Sequence, residues 1–180
     1  RVVLDEILYI GKRAFYGCYN LESVEMGQAD SQATIDEYAF YLCERLSYLV
    51  VPPHIQQIEA YAFINTDIEN ICIIESPNPS FGSMHLSIEA NALPSNTTIF
   101  VGDNLSYNQN KWQNWDIRLY RGIYNDFVVD IDNVILRYIG KDSIVEIPER
   151  IETDWASGIA DDVFFNNYSI EQITLTQALL

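Results

Sequence analysis

Three cysteines, Cys18, Cys43 and Cys72, and two histidines, His54 and His85, are the side chains of this 180-residue chain with the most obvious chemistry. A nucleophilic thiol needs a base within hydrogen-bond reach and a further group to orient that base. Neither histidine lies in a triad-like pattern, so catalysis by Cys18 or Cys43 has no partner in the sequence. A zinc site would show Cys or His pairs about two to four residues apart, and the thiols are too widely spaced for that or for a disulfide-dense scaffold. Asp130 and Asp132 in "DIDN" alternate like the first ligands of a calcium loop, yet no glycine and no closing glutamate follow at the required offsets. A hairpin turn explains them better. The 26 acidic residues leave a glycosidase-like carboxyl pair open, although most are simply solvated. Sequons begin at Asn96, Asn104 and Asn167 and matter only in a eukaryotic secretory pathway. The expectation is no catalytic residue, no metal and no cofactor.

Charge narrows the partners. Ten basic against 26 acidic residues give a formal net charge of −16, and such a surface repels phosphate backbones and anionic headgroups. Nucleic acid and peripheral membrane are poor partners. No apolar run approaches the roughly 18–20 residues of a membrane span, and "RVVLDEILYI" lacks the pattern of a signal peptide, an absence without weight if the chain is an excerpt.

The elements that must position any site follow from a repeat. Ala14-Phe15, Ala39-Phe40 and Ala62-Phe63 recur with a weaker Ala92-Leu93 and with Val163-Phe164, and an isoleucine stands four residues before each: Ile10, Ile35, Ile58, Ile88 and Ile159. Downstream, Leu21, Val24 and Met26 match Leu46, Leu49 and Val51, then Ile68, Ile71 and Ile73, and finally Ile170, Ile173 and Leu175. The anchors lie 25, 23 and 30 residues apart in the first four copies (14 to 39, 39 to 62, 62 to 92), so the basic unit is about 23 residues. Each unit reads as a short strand with alternate side chains buried. One such strand cannot bury its apolar side alone, so equivalent strands must stack in parallel about 4.8 Å apart. Segments such as "IDEYAFYLC" are too short for a normal helix and predict a helical or 3₁₀ turn closing each coil. Alanine fits where backbones crowd, and phenylalanine fills the interior. Cys18 and Cys43 take one position in adjacent coils, where a small buried residue faces the turn; a disulfide between them meets the required dihedral only with difficulty.

"IGKRAFYGCYNLESVEM", "IEAYAFINT" and "IADDVFFNNYSIEQITL" resemble the BspA-like leucine-rich repeats, whose unit runs roughly Ile-Gly-x-x-Ala-Phe-x-x-Cys-x-x-Leu-x-x-Val-x-Ile-Pro. Val51-Pro52 and Ile147-Pro148 carry the terminal proline, which has no N–H for further pairing. The resemblance implies an α/β repeat solenoid, a right-handed coil mainly β in content with short helical or 3₁₀ turns. Residues 97–120 look like the closing segment of such an array, a strand and a short helix capped by Asp103, with Leu105, Trp112 and Trp115 turned onto the last coil. Residues 126–148 resemble the hairpin that opens such arrays, with Asp132-Asn133 at its turn. The expected organisation is one array over residues 1–122 and the start of a second over 126–180. Both ends cut a repeat at similar phase, so the chain reads as a fragment of a longer repeat protein.

Binding in such arrays uses the sheet face and the insertions. The outward strand positions are Glu22, Ser23 and Glu25, then Ser47, Tyr48 and Val50, then Glu69, Asn70 and Cys72, and the aromatic Tyr48 with Glu25 and Val50 is the candidate contact set. "ESPNPSFGSM" adds Phe81 and "TDWASG" adds Trp155, each either a contact residue or folded back onto its own coil. The resemblance implies a non-catalytic, secreted or cell-surface module that binds a protein or glycan in adhesion or host interaction. The alternative is a scaffold or targeting arm for an enzyme elsewhere in a longer chain.

Overall fold

The computed structural model describes residues 1–180 except 28, 30, 75–85, 103–110, 113–114, 131, 139, 141, 162, 165–168 and 176–180. It divides into unit 1, Arg1–Arg118, and unit 2, Leu119–Leu180.

Each coil of unit 1 supplies two strands rather than one. In chain order these are β1 (Val2–Leu4), β2 (Tyr9–Ile10), β3 (Val24–Met26), β4 (Ala33–Ile35), β5 (Tyr48–Val51), β6 (Ile55–Ile58), β7 (Asn70–Ile73), β8 (Ser87–Ile88), β9 (Thr98–Gly102), β10 (Lys111–Trp112) and β11 (Trp115–Tyr120). One set pairs in parallel as β5-β7-β9, placing Leu49 against Ile71 and Ile71 against Ile99, and β1 pairs in parallel with β3. The other set forms the parallel sheet β2-β4-β6-β8, in which Ile10, Ile35, Ile58 and Ile88 stand in register. The isoleucine four residues before each Ala-Phe pair is therefore the buried end of this second strand. Pro52-Pro53-His54 turns the chain from β5 into β6, where Ile55 N–H donates to the Pro52 carbonyl at 3.1 Å. Proline suits a corner at which the first ladder must end.

The expected helical or 3₁₀ turns are not formed, and no helix occurs among the described residues. Alternate amides explain why. Ala14, Tyr16 and Cys18 donate to the carbonyl three residues back, whereas Arg13, Phe15 and Gly17 donate to Glu37, Ala39 and Tyr41 of the next coil at 2.7–3.2 Å. Tyr38, Phe40 and Leu42 repeat the pattern onto Ala60, Ala62 and Ile64, and Tyr61 and Phe63 onto Asn91 and Ala92. A helix would keep all of these donors within itself. Left-handed residues interrupt the run at equivalent places, Arg13 (φ 60°), Tyr38 (58°), Tyr61 (62°) and Asn91 (62°), and four residues on at Gly17 (71°), Leu42 (62°) and Asn65 (57°). The turn is thus a third ladder linking coils.

The interior follows from these ladders. Ala39, Ala62 and Ala92 are fully buried where the turn backbones meet, and Phe40 lies between Phe15 and Phe63 with ring centroids 4.9 and 5.0 Å away, nearly parallel. Past β9 the sheet continues to β11, and Trp115 is buried in the same core with its indole N–H donating to the Pro94 carbonyl at 2.8 Å. Asp103 and Leu105 lie outside the described residues, and in place of the other half of the expected closing helix residues 111–112 and 115–120 are strands.

Unit 2 contains β12 (Gly122–Tyr124), β13 (Phe127–Val129), β14 (Val134–Tyr138), β15 (Ile144–Ile147), β16 (Arg150–Ile151), β17 (Asp154–Trp155), β18 (Gly158–Ile159) and β19 (Gln172–Leu175). An antiparallel meander β12-β13-β14 is extended in parallel by β18, and β15 pairs in parallel with β19. Asp130 shapes the β13–β14 turn, its carboxylate accepting from the amides of Asp132 and Val134 at 2.9 and 2.8 Å. Phe127, Tyr138 and Phe164 cluster in the core of this unit, with Val163 buried beside them. Ile159, Ile173 and Leu175 depart from the repeat reading: all three are exposed, whereas Ile58, Leu49 and Val51 in the equivalent places are buried. Among the described residues β19 pairs with β15 alone, whereas β7, the strand that carries the equivalent Ile71 and Ile73, is paired on both sides.

Candidate interaction surface

The thiols do not make a site. Cys43 is buried and donates to the Phe15 carbonyl at 3.2 Å, and burial pushes its pKa up to about 11, with the neighbouring Cys18 adding to the rise. Cys72 is buried as well and burial pushes it up to about 12. Thiolate, the reactive form, is thereby suppressed in both. Cys18, expected to be buried, is instead exposed. His54 is buried with Nδ1 unpartnered, and burial holds its pKa below the ordinary 6.5 against an opposing contribution from the Ile7 backbone. The structure brings none of the cysteines to His54 in a hydrogen bond among those of the described residues, and His85 lies outside them.

The proposed strand-face residues fall on neighbouring strands. Glu25 is on β3 and ion-pairs with Arg1; Tyr48 and Val50 are on β5, half-buried, in register with Asn70 and Cys72 of β7. The outward face does not stay open along the array: Ser47 is buried, as are Cys72 and Phe100, which share a rung. Phe81 lies outside the described residues. Trp155 sits on the β16–β17 hairpin opposite Arg150, 54% exposed, with the Arg150 guanidinium 4.3 Å above its ring. It is not a core plug. Arg121 completes that edge of unit 2, donating to Asn133 at 2.7 Å and reaching Glu152 and Asp154 at 3.3 and 3.4 Å.

An aromatic surface that the strand-based reading missed lies on the turns. Tyr38 stacks on Tyr61 (5.1 Å, 13° between planes), Tyr16 on Tyr41 (5.3 Å, 18°), and Tyr38 meets Tyr41 edge-on at 5.4 Å. The Arg13 guanidinium lies 5.9 Å from the Tyr16 ring and 5.6 Å from that of Tyr38. The signal was present in the repeat, since Tyr38 and Tyr61 share one position and Tyr16 and Tyr41 another. Carboxylates run beside it: Asp36 accepts from the Tyr9 hydroxyl at 2.5 Å and from the Glu37 backbone amide, which hold its pKa below the usual range, while Glu37 pairs with Lys12 and Glu59 accepts from the Gln57 side-chain Nε2 at 2.6 Å.

Stacked parallel strands, an Ala-Phe interior and a cysteine facing the neighbouring turn are the physical content of the repeat consensus, and a family model described as BspA type leucine rich repeat region (6 copies) matches residues 3–84. Residues 3–84 belong to the BspA-type leucine-rich repeats. The matched BspA-type region holds Glu25, Tyr48 and Val50 together with the tyrosine columns, and Trp155 lies beyond it. No curated protein and no solved structure matches the chain. No helix among the described residues is long and apolar enough to cross a membrane.

Proposed function

We propose that this protein is a non-catalytic binding module of a secreted or cell-surface repeat protein, engaging a protein or glycan in adhesion or host interaction. In this reading the coils of unit 1 wind as a right-handed solenoid closed near residues 97–120, and residues from about 126 onward open a second array. One observation carries the proposal: the Ala, Phe and Cys that recur between coils are consumed by the interior. Ala39, Phe40, Ala62 and Phe63 are fully buried and the Cys43 thiol is bonded to backbone, so the positions that vary, Tyr48 and Val50 among them, are left for recognition. BspA-type repeats are generally surface-protein modules, which supports the cellular location proposed here.

The test is retention on panels of extracellular-matrix proteins and glycans, repeated with Tyr48→Ala, Phe81→Ala and Trp155→Ala. The reading expects at least one ligand to be retained and one of these variants to lose it. Retention undiminished in all three would remove these residues from the contact set, and hydrolysis of a panel glycan would overturn the non-catalytic reading.

A further inference from the structure

We infer that the turn face of unit 1 is a docking surface for an arginine-rich segment of a partner protein, with the Tyr61 ring and the carboxylates of Glu59 and Glu89 as its receiving pocket. This goes beyond the strand-face reading and rests on separate observations.

The first observation is that the protein already shows how the column takes a guanidinium. Arg13, Tyr38, Tyr61 and Asn91 occupy one position in four successive coils, all with φ between 58° and 62°. Their backbones are tied in order, since Arg13, Tyr38 and Tyr61 each donate to the next coil at 3.0–3.4 Å. At one end of the column the Arg13 guanidinium lies over Tyr38, within the about 6 Å at which a cation is attracted to a ring face. At the other end Tyr61 stacks only on Tyr38 among the described residues, is itself exposed, and is followed by the short side chain of Asn91. Among the described residues, one end of the aromatic stack is therefore closed by the chain's own cation and the other carries no further ring or cation.

The second observation is charge. Two residues before Tyr38, Tyr61 and Asn91 stand Asp36, Glu59 and Glu89, and Glu44 and Asp67 follow in the turns of Tyr38 and Tyr61, both exposed. The nearby cations are engaged: Lys12 with Glu37, and Arg45 with Glu22 at 2.8 Å. With a whole-chain charge of −16, the complementary occupant is cationic, and arginine suits it better than lysine because the planar guanidinium stacks on a ring while its edge pairs with carboxylate.

Titration calorimetry of the protein with nona-arginine and nona-lysine at near-physiological salt tests this. Tyr61→Asn removes the ring but keeps the charge and copies Asn91, so the coil is expected to fold; Tyr61→Phe keeps the ring. Asn91→Arg places at the open end the residue that closes the other. The proposal expects nona-arginine to bind more tightly than nona-lysine, Tyr61→Asn and Asn91→Arg each to weaken nona-arginine about fivefold or more, and Tyr61→Phe to change little. Equal affinity for the two peptides with no effect of Tyr61→Asn would mean diffuse attraction to an acidic surface, and would overturn it. Retention of panel ligands through Tyr48 is unaffected by that outcome, so the two readings fail separately.

Discussion

At the scale of single residues, Leu42 shows how strictly the turn ladder constrains identity. Its φ of 62° is left-handed, a region that L-residues enter at a cost of about 1–2 kcal/mol, while its amide must still reach Ile64 in the next coil at 3.1 Å. Equivalent coils put Gly17 and Asn65 there, the types that tolerate this backbone. Leu42→Val is expected to lower stability by about 1–2 kcal/mol relative to Leu42→Asn, measured by urea unfolding, because branching at Cβ worsens the strain. The thiols give a second expectation: at mildly alkaline pH a thiol reagent modifies Cys18 rapidly, while Cys43 and Cys72, held at about 11 and about 12, react only on unfolding. His54 gives a third. Its folded pKa lies below 6.5, so between that folded value and 6.5 the unfolded chain binds more protons. Its contribution to stability is full above about 6.5 and is lost as pH falls through the depressed folded pKa, and His54→Gln should flatten the acid limb of a stability-against-pH curve.

At the scale of elements, what was legible in the sequence was whatever repeats with burial. The Ala-Phe pairs and the match of Leu49 with Ile71 could be placed from the sequence, because stacked strands require apolar residues at those spacings; the continuation of that ladder to Ile99 could not. The second parallel sheet could not. Its strands are two to four residues long and bury one or two isoleucines each, too little for an alternation to register. Helical turns were the natural reading of "AFYGC" because donation to the residue three back is local, whereas the competing bonds to the next coil are visible only once coils are stacked. The tyrosine columns were hidden in the sequence for a related reason: ring stacking across a turn ladder depends on backbone bonds between coils and on the left-handed residues within each turn. Phe40→Ala should cost about 3–5 kcal/mol, since it opens a fully buried gap between two stacked rings, while Phe40→Leu, which copies Leu93, should cost less. In unit 2, Asp130→Ala is expected to lower the melting temperature through loss of two turn hydrogen bonds, with about 1 kcal/mol at stake, and added calcium should shift neither protein's transition.

At the scale of the whole molecule, unit 1 owes its stability to neighbours rather than to any coil alone. The turn amides and the sheet β2-β4-β6-β8 run through all the coils, with β1-β3 and β5-β7-β9 pairing beside them, and of the turn amides Phe15, Phe40 and Phe63 donate at 2.7–2.8 Å to Ala39, Ala62 and Ala92. Such a chain loses stability in contiguous runs, because a damaged coil withdraws partners from those on both sides. Hydrogen exchange of these amides under native conditions, comparing the natural sequence with Phe40→Ala, is the most direct test. Protection should fall together at Phe15, Phe40 and Phe63, across three coils. Loss confined to residues 33–51, with the Phe15 and Phe63 amides as slow as before, would contradict the account.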